Sequence, residues 1–367
     1  MTISTSEPNV VVEVQGRVGC ITLNRPKALN ALSLDMIRSI TQALVSWRED
    51  EHVLAVAVRG VSKEGPFGAF CAGGDIRFFH QSALTGNPEL EDFFTEEYAL
   101  NHLIHTYPKP YIAFMDGIVM GGGMGISQGA SLRIVTERSK LAMPETLIGL
   151  FPDVGGGYFL SRCAGRLGEY LALTGQSLGG REAMTAGLAD GHIDAGRLPG
   201  LWASLAQTPF ENGASVERWC ASHLSKATAA PSWPVQEVDR IFCLDTVADM
   251  VTALTATDSD WARSTLAALR QRSPLMLAVT LEQVRRARGM GLADDLRMER
   301  GLVRRCFHLR PGAGSETAEG IRALAIDKDH NPRWHPPTVE EVTPDQVAAF
   351  FVQPWPAHAH PLKGLGG

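Results

Sequence analysis

Two kinds of group between Phe67 and Gly157 could do chemistry together. The turns Phe70-Cys71-Ala72-Gly73-Gly74-Asp75 and Met120-Gly121-Gly122-Gly123-Met124-Gly125 can each offer a bare backbone N–H. Glycine permits positive φ and lets a ligand approach the backbone closely. A third stretch, Met143-Pro144-Glu145 running on to Phe151-Pro152-Asp153-Val154-Gly155-Gly156-Gly157, supplies two carboxylates. Amide donors facing carboxylates are the equipment for stabilising an oxyanion and managing a nearby water. Gly122 would open a helix, where free N–H groups and the helix dipole favour negative charge. The bland alternative for either glycine turn is a tight turn with no ligand.

These residues need a frame. Val10–Val14 and Val18–Leu23 are β-branched runs around Gln15-Gly16-Arg17, which predicts a hairpin. Ser33 is placed to cap a helix with apolar positions Leu34, Ile37, Ile40, Leu44 and Trp47. Val53–Val58 and Tyr111–Met115 are short, wholly apolar runs, as buried parallel strands are, and Leu132–Val135 reads as another strand. A helix should begin at Asp75, and Asn87-Pro88 should open one that ends near Thr106. Strand and helix alternate as far as Asp194, which implies an α/β core with parallel strands. From Leu201 onward helical patterns dominate: Val235–Phe242, Val247–Leu254, Trp261–Gln271, Pro274–Arg288 and Leu292–Phe307. Pro199–Ser215 and Ala227–Trp233 read as linkers, and the tail beyond Pro354 as poorly ordered.

Composition narrows the function classes. The 367 residues are 44% hydrophobic and 20% charged, enough to bury a sizeable core. A net charge of −6 offers no bulk basic field for nucleic acid or a membrane surface. Six scattered cysteines without a C-x-x-C pair indicate neither a zinc site nor a disulfide scaffold. Met1–Val14 lacks a basic leader, so the expected location is cytoplasmic.

Ala69-Phe70-Cys71-Ala72-Gly73-Gly74-Asp75, Met115-Asp116-Gly117 with the glycine triplet after it, and Pro144-Glu145 together resemble the enoyl-CoA hydratase/isomerase (crotonase) superfamily. Within it the chain is similar to the 3-hydroxyisobutyryl-CoA hydrolase family. That likeness rests on Glu96-Glu97-Tyr98, on Met143 through Leu160, on Glu319-Gly320-Ile321-Arg322-Ala323 through Asp327-Lys328-Asp329, and on the long helical extension. It implies an α/β crotonase (ClpP-like) fold of repeated ββα units with a helical C-terminal extension. The expected layout is a core with the acyl-CoA site over 1–200, a mostly helical region over 201–345 and a tail over 346–367. The implied activity is hydrolysis of an acyl-CoA thioester, with 3-hydroxyisobutyryl-CoA of valine breakdown as the foremost substrate. The implied cofactor list is empty, CoA entering with the substrate. Partners should include no nucleic acid and no membrane. A homo-oligomer, trimer or hexamer, is expected, unless the extension covers the site within one chain as a lid.

The resemblance also assigns residues. The N–H groups of Gly74 and Gly122 would form the oxyanion hole. Glu145 would activate water or attack the thioester carbonyl itself. Asp153 would orient the water, contact a substrate hydroxyl or assist proton transfer; its bland reading is a turn residue after Pro152. Glu97 would contact substrate, unless it is a solvated helix acid. Lys27, Ala28, Ala72 and Ile76 would meet adenine and pantetheine. Lys328 is a candidate for the phosphates, against an ordinary surface lysine. Hydratases of the superfamily carry a second glutamate where this chain has Gly125, which argues for hydrolysis. The alternatives are a hydratase or isomerase using Glu145 alone, and a non-catalytic acyl-CoA-binding protein.

Other motifs carry less. Gly125-Ile126-Ser127-Gln128-Gly129 matches G-x-S-x-G, but Ser127 would lie inside a helix and not on a strand-to-helix elbow. His102 with His105, and His358 with His360, have no third ligand in view. Arg285-Arg286-Ala287-Arg288 reads as a helix C-terminus favoured by the dipole.

Overall fold

A computed structural model describes residues 8–366. The reading of Met1–Val14 therefore falls partly on residues outside that range. The chain packs as two compact units, each drawn from three separate segments. The first takes the residues up to Gly74, then Leu103–Leu141 and Leu178–Ala229; the second takes Asp75–His102, Ala142–Ser177 and Ala230 onward.

The first unit is built on strands β1 (Val10–Gln15), β2 (Val18–Leu23), β3 (Ala55–Gly60), β4 (Tyr111–Met115), β5 (Ile118–Met120), β6 (Leu132–Val135), β7 (Lys140–Ala142), β8 (Leu178–Gly179) and β9 (Gly191–His192). Six of them form one sheet in the order β1-β2-β3-β4-β6-β9, and β5-β7-β8 form a smaller one. The β1–β2 hairpin is antiparallel; β2, β3, β4, β6 and β9 run parallel. β2 and β4 are buried along their whole length, as strands covered on both faces must be. On one face the helix Leu34–Arg48 lies so close that a Cβ on Gly19 would stand 2.5 Å from the Trp47 ring. Ser33 caps that helix, as its sequence position predicts. The other face carries Cys20, Ala57, Ile112, Phe114 and Ile134, packed against Leu201, Trp202, Leu205 and Val216.

That packing corrects one expectation. Pro199–Ser215 is no linker: it holds most of the helix Leu198–Gln207 and the start of Gly213–Ser222, whose apolar stripes cover the sheet. Residues 227–233, in contrast, are irregular.

The second unit is largely helical. The helix Glu89–His105 follows Asn87, whose Oδ1 accepts from the Glu89 amide. Phe79, Phe93, Phe94, Tyr98 and Phe307 form a run of edge-on and tilted ring contacts. The helix Pro274–Ala287 packs on Gly156–Leu160 and Leu167–Thr174. The tail is another correction. Leu362 is 3% exposed. Arg297 donates to Leu362 O (3.2 Å), and His360 bonds Arg297 O (3.1 Å), so the last turns are tied down.

Candidate active site

The amide donors lie in the first unit. The segment Cys71–Gly74 is stitched on both sides. Cys71 donates to Ile118 O (2.9 Å) and accepts from Met120 N (3.0 Å), while Leu32 N donates to Gly73 O (2.7 Å). Leu32 forms a parallel bridge with Gly74. Such a bridge takes its bonds from the neighbours of the bridged residue, so the N–H of Gly74 points out of the ladder. Gly73 needs its glycine, with φ at +116°. Gly121 turns with φ 49°, ψ −120° and starts the buried helix Gly122–Gln128. As the first helical residue, Gly122 has no intrahelical acceptor for its N–H. The two turns abut: a Cβ on Gly73 would stand 3.5 Å from Met120 O and 3.9 Å from Gly122 N, and one on Gly123 would stand 2.3 Å from Cys71 O.

The same region gathers Lys27, Ala28 and Ala72. Lys27 and Ala28 sit in the short turn Pro26–Ala28, followed by Leu29 and Asn30 at positive φ. Asn30 tolerates that conformation. Its buried amide donates to Val61 O (2.8 Å) and Ala69 O (2.7 Å) and accepts from Arg25 N (2.8 Å). Leu29 O then receives the Ala72 amide at 3.0 Å.

The carboxylates lie in the second unit. Glu97, Glu145 and Asp153 are buried, at 2%, 6% and 4% exposure. Tyr98 Oη donates to Asp153 Oδ2 at 2.7 Å. Burial first, and then the charges of Asp153 and Glu145, hold the Glu97 carboxyl well above the usual range. Burial and Asp153 do the same for Glu145, with Arg272 pulling the other way. Asp153 is raised by burial to about 6, offset by the Tyr98 hydrogen bond. Three buried carboxyls that raise one another cannot all ionise cheaply, so ionising one holds protons on the others. Glu97 Oε1 and Glu145 Oε2 have no hydrogen-bond partner among the described residues. Buried acceptors left open at a site are places for a water or a substrate hydroxyl.

Glu145 stands in the one-turn helix Glu145–Ile148, closed by Gly149 at φ 66°. Ser273 N donates to Thr146 O (3.1 Å), which ties that turn to the head of the helix Pro274–Ala287. The neighbouring Arg272 is buried; its Nη2 donates to Thr174 O at 2.5 Å. Ile76 opens the helix Ile76–Thr85, capped by Asp75 Oδ1. That helix packs on Glu316–Ile321 and on the turn Arg322–Ile326. Lys328 follows that turn, exposed and at φ 58°.

Residues carrying no motif hold this site. Glu299 Oε2 accepts from Gly155 N (2.7 Å) and its Oε1 from Gly157 N (2.9 Å). Asp295 Oδ2 accepts from Tyr158 N at 2.8 Å. Gln283 Nε2 donates to Pro152 O (2.7 Å) and to Glu299 Oε1 (2.9 Å). A signal existed: Asp295 and Glu299, four apart, share the helix stripe of Leu302, Val303 and Cys306, where a solvated acid would be out of place.

Ser127 is buried inside its helix and donates to Gly123 O at 2.7 Å, so the G-x-S-x-G match is a helix back-bond. His102 bonds Gly366 O at 2.9 Å.

Comparison with known proteins agrees with this architecture. The family model for enoyl-CoA hydratase/isomerase matches residues 18–351, and the chain belongs to that family. A Xenopus tropicalis relative named 3-hydroxyisobutyryl-CoA hydrolase, mitochondrial, is 41% identical over 342 residues, 92% of this chain and 86% of the relative. The Homo sapiens protein of the same name is 40% identical over 350 residues, 93% of this chain and 88% of that one. Among solved structures, one titled carnitinyl-CoA dehydratase from Mycobacterium thermoresistibile aligns with TM-score 0.85 at 37% identity, covering 95% of this chain and 98% of that one. One titled enoyl-CoA hydratase from Rhodobacter sphaeroides 2.4.1 aligns with TM-score 0.82 at 37% identity and the same coverage. The α/β crotonase fold is thereby shown. The expected cytoplasmic location is overturned, because the curated relatives are named mitochondrial. Among the described residues no helix is long and apolar enough to cross a membrane.

Proposed function

We propose that this chain hydrolyses an acyl-CoA thioester and that the acyl group is 3-hydroxyisobutyryl. The observation that carries the reading is the buried cluster of Glu97, Glu145 and Asp153, with open oxygens on both glutamates. The names of the relatives support it. So does position 125, where a buried glycine stands in the helix and offers no second hydratase-type carboxylate.

In this scheme the thioester oxygen takes the amides of Gly74 and Gly122. Glu145 removes a proton from water as its oxygen attacks the carbonyl carbon, or attacks that carbon itself. The tetrahedral intermediate collapses with cleavage of the C–S bond, and the departing thiolate takes the proton that Glu145 removed from water. Where Glu145 itself attacks, Asp153 gives the thiolate its proton, and water, losing a proton to Asp153, then cleaves the anhydride and returns Glu145 and the free acid. Asp153, poised at about 6, exchanges a proton readily near neutrality, and Tyr98 holds its orientation. Glu97 receives the acyl hydroxyl. Lys27, Ala28, Ala72, Ile76 and Lys328 serve the CoA moiety. The scheme draws on no metal or redox group. Label in the Glu145 side chain after a single turnover in heavy-oxygen water would establish attack by Glu145, with water opening the anhydride at the Glu145 carbonyl.

A second reading, hydration by Glu145 alone, is favoured by the titles of the two aligned structures. Thiol release from 3-hydroxyisobutyryl-CoA, measured beside hydration of crotonyl-CoA, decides between them. Hydration without thiol release would overturn the hydrolase.

A further inference from the structure

Asp153 lies in a segment that its own sequence does not stabilise. Val154 follows it at φ 56°, a left-handed conformation for a β-branched side chain. Such a conformation costs ~1–3 kcal/mol and persists only where the surroundings over-determine it. Here the surroundings are identifiable. Glu299 spans two amides of the next turn, one oxygen to each, while Gln283 fixes the carbonyl of Pro152 and braces Glu299. Asp295 takes the amide of Tyr158. The fit leaves no slack, since a Cβ on Gly157 would stand 2.4 Å from Asp295 Oδ1 and 3.0 Å from Ala287 Cβ. Asp153 is thus bracketed by anchors on both sides, at residue 152 and at residues 155, 157 and 158. Every anchor comes from the two helices Pro274–Ala287 and Leu292–His308.

Two acids buried on one helix are a costly way to build a structural support. An apolar contact could fill the same space. What a carboxyl adds over an apolar contact is two acceptor oxygens, one for each of two amide N–H groups, which set the pitch of an irregular turn. We infer that Glu299, braced by Gln283 and flanked by Asp295, is a positioning residue for Asp153 in thioester hydrolysis. It acts through the amides of Gly155 and Gly157. This deepens the proposed function and rests on it for the role of Asp153.

The test compares wild type with Glu299→Gln and Gln283→Met, the second removing the brace without touching a charge. Kinetics of thiol release from 3-hydroxyisobutyryl-CoA are paired with amide hydrogen exchange of the 150–160 peptide. An amide side chain at 299 presents an N–H to one of the two backbone donors and loses that bond. The expected result is faster exchange in that peptide and a ~100-fold lower kcat, the size a displacement of about 1 Å produces, with KM within ~3-fold. Gln283→Met should move both readouts in the same direction by less. Unchanged exchange in both variants would overturn the clamp, as would faster exchange with kcat within twofold of wild type. Should wild type release no thiol while Glu299→Gln still speeds exchange, the hydrolase reading and the role of Asp153 fall, although the anchoring stands.

Discussion

The two halves of the proposed chemistry are held in opposite ways. The amide of Gly74 belongs to backbone fixed by the bridges Leu32–Gly74 and Cys71–Val119, and that of Gly122 to the first turn of a helix. They need no side chain, and their cost is a few glycines at unusual φ. The carboxyls of Glu97, Glu145 and Asp153 are side chains taken out of water against their charge, and their surroundings hold them with further buried polar groups. The fold yields backbone donors almost as a by-product, whereas buried acids require a supporting shell. The first half should therefore tolerate change around it, and the second should be sensitive to residues far off in sequence.

Substitutions can break that contrast. Glu145→Gln should lower kcat by ~10²–10⁴-fold with CoA binding near normal; retained turnover would move the chemistry elsewhere. Gly122→Pro removes one donor at a helix position that accommodates proline, and should cost ~10²–10³-fold in kcat. If that variant stays folded and active, the oxyanion assignment is wrong.

The next two sharpen it. Asp153 is raised to about 6 by burial, so the folded state binds a proton that the unfolded chain releases nearer 4. The stability tied to that proton is complete at low pH and is lost as pH rises through about 6. Asp153→Asn should therefore stabilise the protein at pH 8 and hardly at all below pH ~4, read from urea midpoints. Tyr98→Phe removes the bond that lowers the Asp153 pKa, so the acidic limb of kcat should move to higher pH. A limb that moves down or stays put would sink that account. Smallest of all, Ser127→Ala should leave kcat within ~2-fold and cost ~1 kcal/mol of stability, one hydrogen bond's worth.

What the sequence makes legible follows the same division. The hairpin, the Ser33 cap, the strand Tyr111–Met115 and the helix starting at Gly122 are local, written in periodicity and turn chemistry. The glycine turns and Pro144-Glu145 announce themselves because their spacing is itself the signal. Strands Ile118–Met120, Lys140–Ala142 and Leu178–Gly179 are too short to show a period. Pro199–Ser215 looks loose because its proline and polar residues mask a stripe of Leu201, Trp202 and Leu205 that only the sheet completes. Glu299 and Gln283 are least legible: their partners in the Pro152–Gly157 segment lie more than a hundred positions away, and nothing local distinguishes them from surface polar residues except the apolar stripe they interrupt.

The interleaving of segments has a consequence for how the protein is made. The turns that carry Gly74 and Gly122 are translated early, but Glu299 and Gln283 emerge late. During synthesis the Asp153 segment waits, without its anchors and with its acids still solvated, while the amide donors can already form. A chain cut short before Leu292 would keep both glycine turns and Gln283 but lose Asp295 and Glu299, which hold the amides of Gly155, Gly157 and Tyr158.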